Sequence, residues 1–135
     1  MNINLATDYS FRAVLFLAQQ PRGEVVEAQT IARQQAVPIR YLLKIMPSLI
    51  KAGIVKSQRG IGGGYMLARD PREITLLDVV EAIEGPIRLN RCLEEDNYCS
   101  KEGPPECEIH QALAAIQQKL NREFKSYNFA DFLET

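Results

Sequence analysis

Residues 59–64 read Arg-Gly-Ile-Gly-Gly-Gly. No helix runs through such a tract, because glycine is the poorest helix former after proline. The segments on either side, residues 54–58 and 65–68, are β-like. Residues 54–68 therefore predict a short β-hairpin with a tight tip whose glycines take positive φ. A phosphate cradle is the other use of a glycine-rich loop. This tract lacks the Lys-Ser/Thr ending of a P-loop, and a strand instead of a helix follows it, so nucleotide binding is set aside.

The rest of the chain patterns as helices. Residues 7–20 carry Tyr9, Ala13, Phe16 and Leu17 at helical spacing. Thr7 is the expected cap, Asp8 sits at the positive helix end, and Pro21, Arg22 and Gly23 stop the run. Residues 24–26 read as a short strand. Residues 28–35 form a second helix with Ile31 and Ala32 inward, and Ala36 and Val37 form a turn. Pro38 is expected at the first position of a third helix, which buries Ile39, Leu42, Met46 and Leu49 and turns Arg40, Tyr41 and Lys44 outward. Pro47 should kink that helix or end it near Met46. Two short helices, a tight turn between them and a hairpin after them describe a winged helix-turn-helix.

Thr75 and Asp78 have the spacing of a capping box for a helix that ends at Glu84, Gly85 and Pro86. Residues 87–106 read as an irregular loop. A long helix then runs from about Cys107 to Lys125. Its Ile109, Leu113, Ile116, Leu120 and Phe124 step by four, three, four and four, close to a coiled-coil seam. Asn128 is placed to cap a last short helix carrying Phe129, Phe132 and Leu133. The pattern predicts a mainly α fold with a small β-hairpin wing. It divides into a winged helix-turn-helix over 1–86, a loop over 87–106, and a long helix with a short C-terminal one over 107–135.

A net charge of −1 hides a strong asymmetry. Residues 28–69 contain no Asp or Glu. They carry Arg33, Arg40, Lys44, Lys51, Lys56, Arg59 and Arg69, a charge of +7 against −8 for the remainder. A basic block laid over a winged helix points to a polyanion partner, and double-stranded DNA is the natural one. Arg33, Arg40, Tyr41 and Lys44 are the contact candidates on the helices, and Arg59 and Gly60 on the wing. An arginine on a wing enters the minor groove, where the negative potential is strongest.

All three cysteines and the only histidine fall in one short stretch. Cys92 and Cys99 have six residues between them, Cys99 and Cys107 seven, Cys107 and His110 two. Thiolate and imidazole are the soft donors preferred by zinc and by iron–sulfur clusters. The spacing is not that of a zinc ribbon, and wide spacing suits a bulkier guest. The residues alone leave open a cluster, a zinc site, thiol redox sensing, or three unrelated thiols. Acidic residues crowd the loop, Glu94, Glu95, Asp96, Glu102, Glu106 and Glu108 among them. An odd cysteine count without a visible signal peptide argues for a reducing, cytoplasmic setting and against a disulfide framework. No apolar run reaches membrane-spanning length. No nucleophile–base pair or carboxylate dyad is recognisable, so neither an enzyme nor a small-molecule substrate is expected.

The chain resembles the Rrf-two family of bacterial winged-helix regulators. The likeness is densest in Ile31, Ala32 and Arg33, in Tyr41 and Leu42, in residues 51–55 (Lys-Ala-Gly-Ile-Val), in the wing from Arg59 to Tyr65, and in residues 74–85. The three cysteines mark the IscR-like, iron–sulfur branch. The resemblance implies a homodimer paired through the long helix, with two winged helices on a pseudo-palindromic operator. It implies that Arg59 enters the minor groove, that the helix around Arg40 and Lys44 reads the major groove, and that Cys92, Cys99 and Cys107 bind the cluster. His110, three residues after the last cysteine, matches the fourth ligand of a 2Fe–2S site and is favoured. In nitric-oxide-sensing, NsrR-like members an acidic residue of the partner subunit completes a 4Fe–4S site, and Asp8 matches that alternative. Two departures stand out: cysteine spacing in the family is usually five and five, and an apolar Leu43 stands in the recognition helix where relatives can carry a polar reader. A cluster-dependent transcription regulator is thus expected. Its rivals are a zinc or thiol-redox DNA-binding regulator and, further off, a small electron carrier.

Overall fold

Helix starts follow from which side chains are left to cap them. The computed structural model describes residues 2–94 and 107–133. In the first helix, α1 (Leu5–Ala18), the cap is Asn4, whose Oδ1 accepts the Thr7 N–H at 2.8 Å. The sequence pointed to Thr7 instead. Thr7 is fully buried where α1 meets a later helix, and its Oγ1 donates to Glu84 Oε2 at 2.5 Å. Packing takes the hydroxyl, so the cap moves three residues upstream. Asp8 sits in the first turn as expected.

The second and third helices, α2 (Ala28–Gln35) and α3 (Ile39–Lys51), are joined through Ala36, whose φ of 54° is left-handed and turns the chain within three residues. Pro38 stands just outside α3 and not at its first position. The proline inside α3 does not end the helix. Pro47 and Leu43, four residues apart, are both exposed, so the carbonyl that Pro47 cannot satisfy belongs to the solvent side. Leu42, Ile45, Met46 and Leu49 are buried beneath it.

The wing is β1 (Val55–Gln58) paired antiparallel with β2 (Gly64–Leu67), with Ser57 opposite Tyr65 and Gln58 opposite Gly64. Residues 24–26 form no full strand, but Val26 bridges Tyr65 through two backbone hydrogen bonds of 2.8 Å each. The hairpin thus leans on a third piece of extended chain. The glycines divide by cause. Gly60 and Gly62 have φ of 95° and 77° and form the turn, as expected. Gly63 and Gly64 lack room instead: a Cβ on Gly64 would overlap the Val26 carbonyl, and one on Gly63 that of Gln58.

A single 3-10 turn (Pro71–Glu73) follows, capped by Asp70. The Arg72 side-chain hydrogen bond draws the Asp70 carboxyl down from 3.8 to about 2. The next helix, α4 (Leu76–Glu84), opens with the expected capping box: Thr75 Oγ1 accepts from Asp78 N–H at 3.1 Å, and Asp78 Oδ2 accepts from Thr75 N–H at 2.9 Å. The long helix α5 (Glu108–Ser126) begins after Cys107 and packs along α4. Beyond it, Asn128 and Asp131 cap each other reciprocally, and the turn Phe129–Leu133 enters the domain. Leu76 N–H donates to the Tyr127 carbonyl and Phe129 N–H to the Ile74 carbonyl, both at 3.0 Å. Phe129 is buried in the same core as Val14, Ile31, Leu49, Ile54 and Ile74.

Val26 and Tyr65 meet over a backbone with no space for a side chain. Gly64→Ala is therefore expected to destabilise the protein by about 1–3 kcal/mol, the usual cost of overpacking, as read from urea unfolding. An unchanged midpoint would show that the third segment does not brace the wing.

Candidate DNA interface and metal-ligand residues

The outer surface of α3 carries the side chains that sequence placed there. Arg40 and Lys44, four apart, share one helix face and are exposed; Leu43 beside them is half exposed. Arg33 on α2 and Lys56, Arg59 and Gly60 on the wing are exposed as well. Among the described residues, ion pairs form at Asp8–Arg12, Arg69–Asp78, Asp70–Arg72 and Arg91–Glu94. None of these involves Arg33, Arg40, Lys44, Lys51, Lys56 or Arg59. Six cations thus face solvent without an acidic neighbour, which is the condition for binding phosphates.

Arg69 differs from the other six. Its Nε donates to the Gly53 carbonyl and its Nη1 to the Glu73 carbonyl, each at 3.1 Å, and Asp78 lies 4.0 Å away. It ties the end of α3 to the start of α4. Sequence counted it with the basic block; only the fold reveals its internal use.

Tyr41 is held by neighbours. Its ring meets Tyr9 edge-on at 5.7 Å, and the Arg12 guanidinium stands 5.3 Å from the Tyr9 ring. Arg12 also donates to the Gln35 carbonyl at the end of α2, at 3.3 Å, and to Asp8 at 2.8 Å. α1 thereby braces the helix-turn-helix from behind. This role of Arg12 and Tyr9 was not read from the sequence, where the four-residue spacing of Asp8 and Arg12 was the available signal.

Of the four expected metal ligands, three lie within the described residues. Cys92 sits in a 3-10 turn, Arg91–Leu93, which packs against α5; its Sγ accepts from Asn90 Nδ2 at 3.5 Å. Cys107 is the residue before α5, and His110 is in that helix's first turn; both are half-buried. The approach to Cys92 is tied to α5 by a 2.9 Å hydrogen bond from Leu89 N–H to Gln117 Oε1. Cys92 and Cys107 are free thiols. Cys99 and the rest of the loop, 95–106, lie outside the described residues. Among the described residues no three Cys, His, Asp or Glu converge on one point. The donor types, two free thiols and an imidazole, fit a soft metal or an iron–sulfur cluster. Asp8, the alternative ligand, is engaged by Arg12 of its own chain.

The seam of α5 is open. Ile109 and Ile116 are 66% and 52% exposed, and Leu113, Leu120 and Phe124 are half-buried. Leu120 and Phe124 help line a cleft of about 430 Å³ with Ile3, Val80 and Ile87. No helix among the described residues is long and apolar enough to cross a membrane.

Known proteins share both sequence and shape with this chain. A family model described as Rrf2, iron-dependent transcriptional regulator, matches residues 3–135. IscR of T. potens is 27% identical, with 98% of this chain and 86% of that one covered at a TM-score of 0.75. CymR, the global cysteine regulator of B. subtilis, is also 27% identical, over 98% and 96% of the two chains at a TM-score of 0.78. CymR of Staphylococcus aureus in its oxidised form, at 21% identity, shares the fold over 100% of this chain and 98% of its own, with a TM-score of 0.76. A winged helix with unpaired cations on its helices and wing, matched by the family model from residue 3 to the last, belongs to the Rrf2 family of DNA-binding transcription regulators, which are not enzymes.

Proposed function

We propose that this Rrf2 regulator binds a pseudo-palindromic duplex as a homodimer, and that an iron–sulfur cluster held by Cys92, Cys99, Cys107 and His110 sets its affinity. The observation that carries the cluster reading is the set of soft donors carried on or against α5. Cys107 and His110 flank its first turn, and the turn carrying Cys92 packs on the same helix. When bound, a cluster supplies an oxidant-sensitive crosslink between the loop and the helix. The chain's own residues supply the connection onward. The loop leaves α4 at Gly85, and Glu84 just before it holds Thr7 of α1, the helix that braces Tyr41. The apolar seam from Ile109 to Phe124 is the surface for pairing with the second copy.

Two alternatives remain distinct in outcome. An NsrR-like 4Fe–4S site completed by Asp8 of the partner requires Asp8 to leave Arg12. A thiol or zinc regulator needs no inorganic sulfide, and the likeness to CymR, a cysteine regulator, supports keeping it.

Protein prepared without oxygen is expected to be coloured and to contain iron and acid-labile sulfide. Alanine at Cys92, Cys99 or Cys107 should abolish the colour. His110→Ala should change the visible spectrum while Asp8→Ala leaves it nearly intact. The reverse ranking assigns the fourth ligand to Asp8, and colourless protein with stoichiometric zinc after anaerobic reconstitution rejects the cluster.

DNA affinity should fall steeply with salt. The probe is the duplex that wild-type protein enriches from a randomised library. Arg59→Ala should weaken binding and flatten the salt slope by about one, whereas Arg40 and Lys44 changes should alter base preference by about 1–3 kcal/mol. Arg69→Ala should lower stability yet leave the salt slope unchanged, because its guanidinium is engaged by the Gly53 and Glu73 carbonyls of its own chain. Equal slopes for Arg59→Ala and wild type would remove the wing from the interface.

A further inference from the structure

We infer that Ile61, at the tip of the wing, is an apolar contact residue that seats against the sugar faces of the DNA minor groove beside Arg59. The inference rests on the wing docking proposed above and adds to it a residue of the opposite chemistry. Ile61 is the most exposed large hydrophobic side chain among the described residues, at 107% of its reference area. It touches nothing in its own chain, so the fold has no use for its apolar character. Its position is nevertheless well defined. Gly60 and Gly62 on either side hold φ of 95° and 77°, and the Gly63 N–H closes the turn onto the Gly60 carbonyl at 2.9 Å. Below the tip, β2 is clasped by Val26. A β-branched side chain with few rotamers, on a tip with glycine on both sides, loses little entropy on contact.

The occupant follows from the charge around it. Arg59 is two residues away, Lys56 lies on β1, and residues 28–69 contain no acid. A protein surface that lacked acidic groups would be a poor partner for this tip, and a duplex is a good one. Proteins that enter the minor groove frequently use both kinds of side chain: cations meet its negative potential, and apolar groups pack against the DNA within it. The flanking glycines leave the tip slim enough for a groove about 6 Å wide.

The test uses full-length wild-type protein and the Ile61→Ala, Ile61→Leu and Arg59→Ala variants on the library-selected duplex at several salt concentrations. Hydroxyl-radical cleavage reads the sugars directly. Ile61→Ala is expected to weaken binding about tenfold with an unchanged salt slope, since an apolar contact releases no counterions. It should also expose to cleavage the sugars that wild type protects at the wing, and Ile61→Leu should restore both. Affinity for Ile61→Ala within about twofold of wild type, with Arg59→Ala still weakened, overturns the inference and leaves wing docking standing. A weakened Ile61→Ala that keeps the sugar protection, or that flattens the salt slope, also overturns it. If neither variant changes binding, wing docking falls and the inference falls with it.

Discussion

Two backbone hydrogen bonds, between residues 74–76 and 127–129, hold the architecture together. On one side of this bridge α4 starts from its capping box; on the other α5 ends and Phe129 turns into the core. The junction therefore fixes the C-terminal end of α5 to the body of the winged helix. The opposite end of α5, about 28 Å away at 1.5 Å per residue, carries Cys107 and His110. Along its length α5 packs on α4 and on the turn carrying Cys92 without fully burying any side chain among the described residues.

The basic surface is smaller than the basic sequence. Seven cations in an acid-free block become six once Arg69 is engaged by carbonyls at both ends of the wing. Acid-free composition has a second effect. Inside residues 28–69 no carboxylate competes for Arg40, Lys44 or Arg59, so these side chains need break no ion pair before meeting a phosphate. Tyr41 gains its order from the other direction, through Tyr9 and Arg12 on α1.

Local signals were legible in the sequence and long-range ones were not. Thr75 and Asp78 form their box because both partners lie within one turn, where spacing alone decides. Thr7 was misread because its hydroxyl is claimed by Glu84, 77 residues away. Pro47 was expected to kink α3 or end it near Met46; the helix does not end there, because the bond it removes lies on the exposed side and the buried face of Leu42, Ile45, Met46 and Leu49 continues past it. Gly60, Gly62, Gly63 and Gly64 share one tract, but only the folded backbone separates them: φ requires the first two, and the carbonyls of Gln58 and Val26 crowd Gly63 and Gly64. The ligand set was conspicuous as residue types. Its convergence depends on Cys99 and the loop around it, which lie outside the described residues.

A hairpin of two four-residue strands is marginal when isolated. The Val26 bridge changes what that means for recognition. A wing that had to fold against its target would spend part of its contact energy on ordering, and its encounter rate would be limited by the fraction of time it stood upright. Here the Val26 bridge holds the wing in place within the chain itself, so in the docking proposed above the ordering cost would fall at the moment of folding and not at the moment of binding.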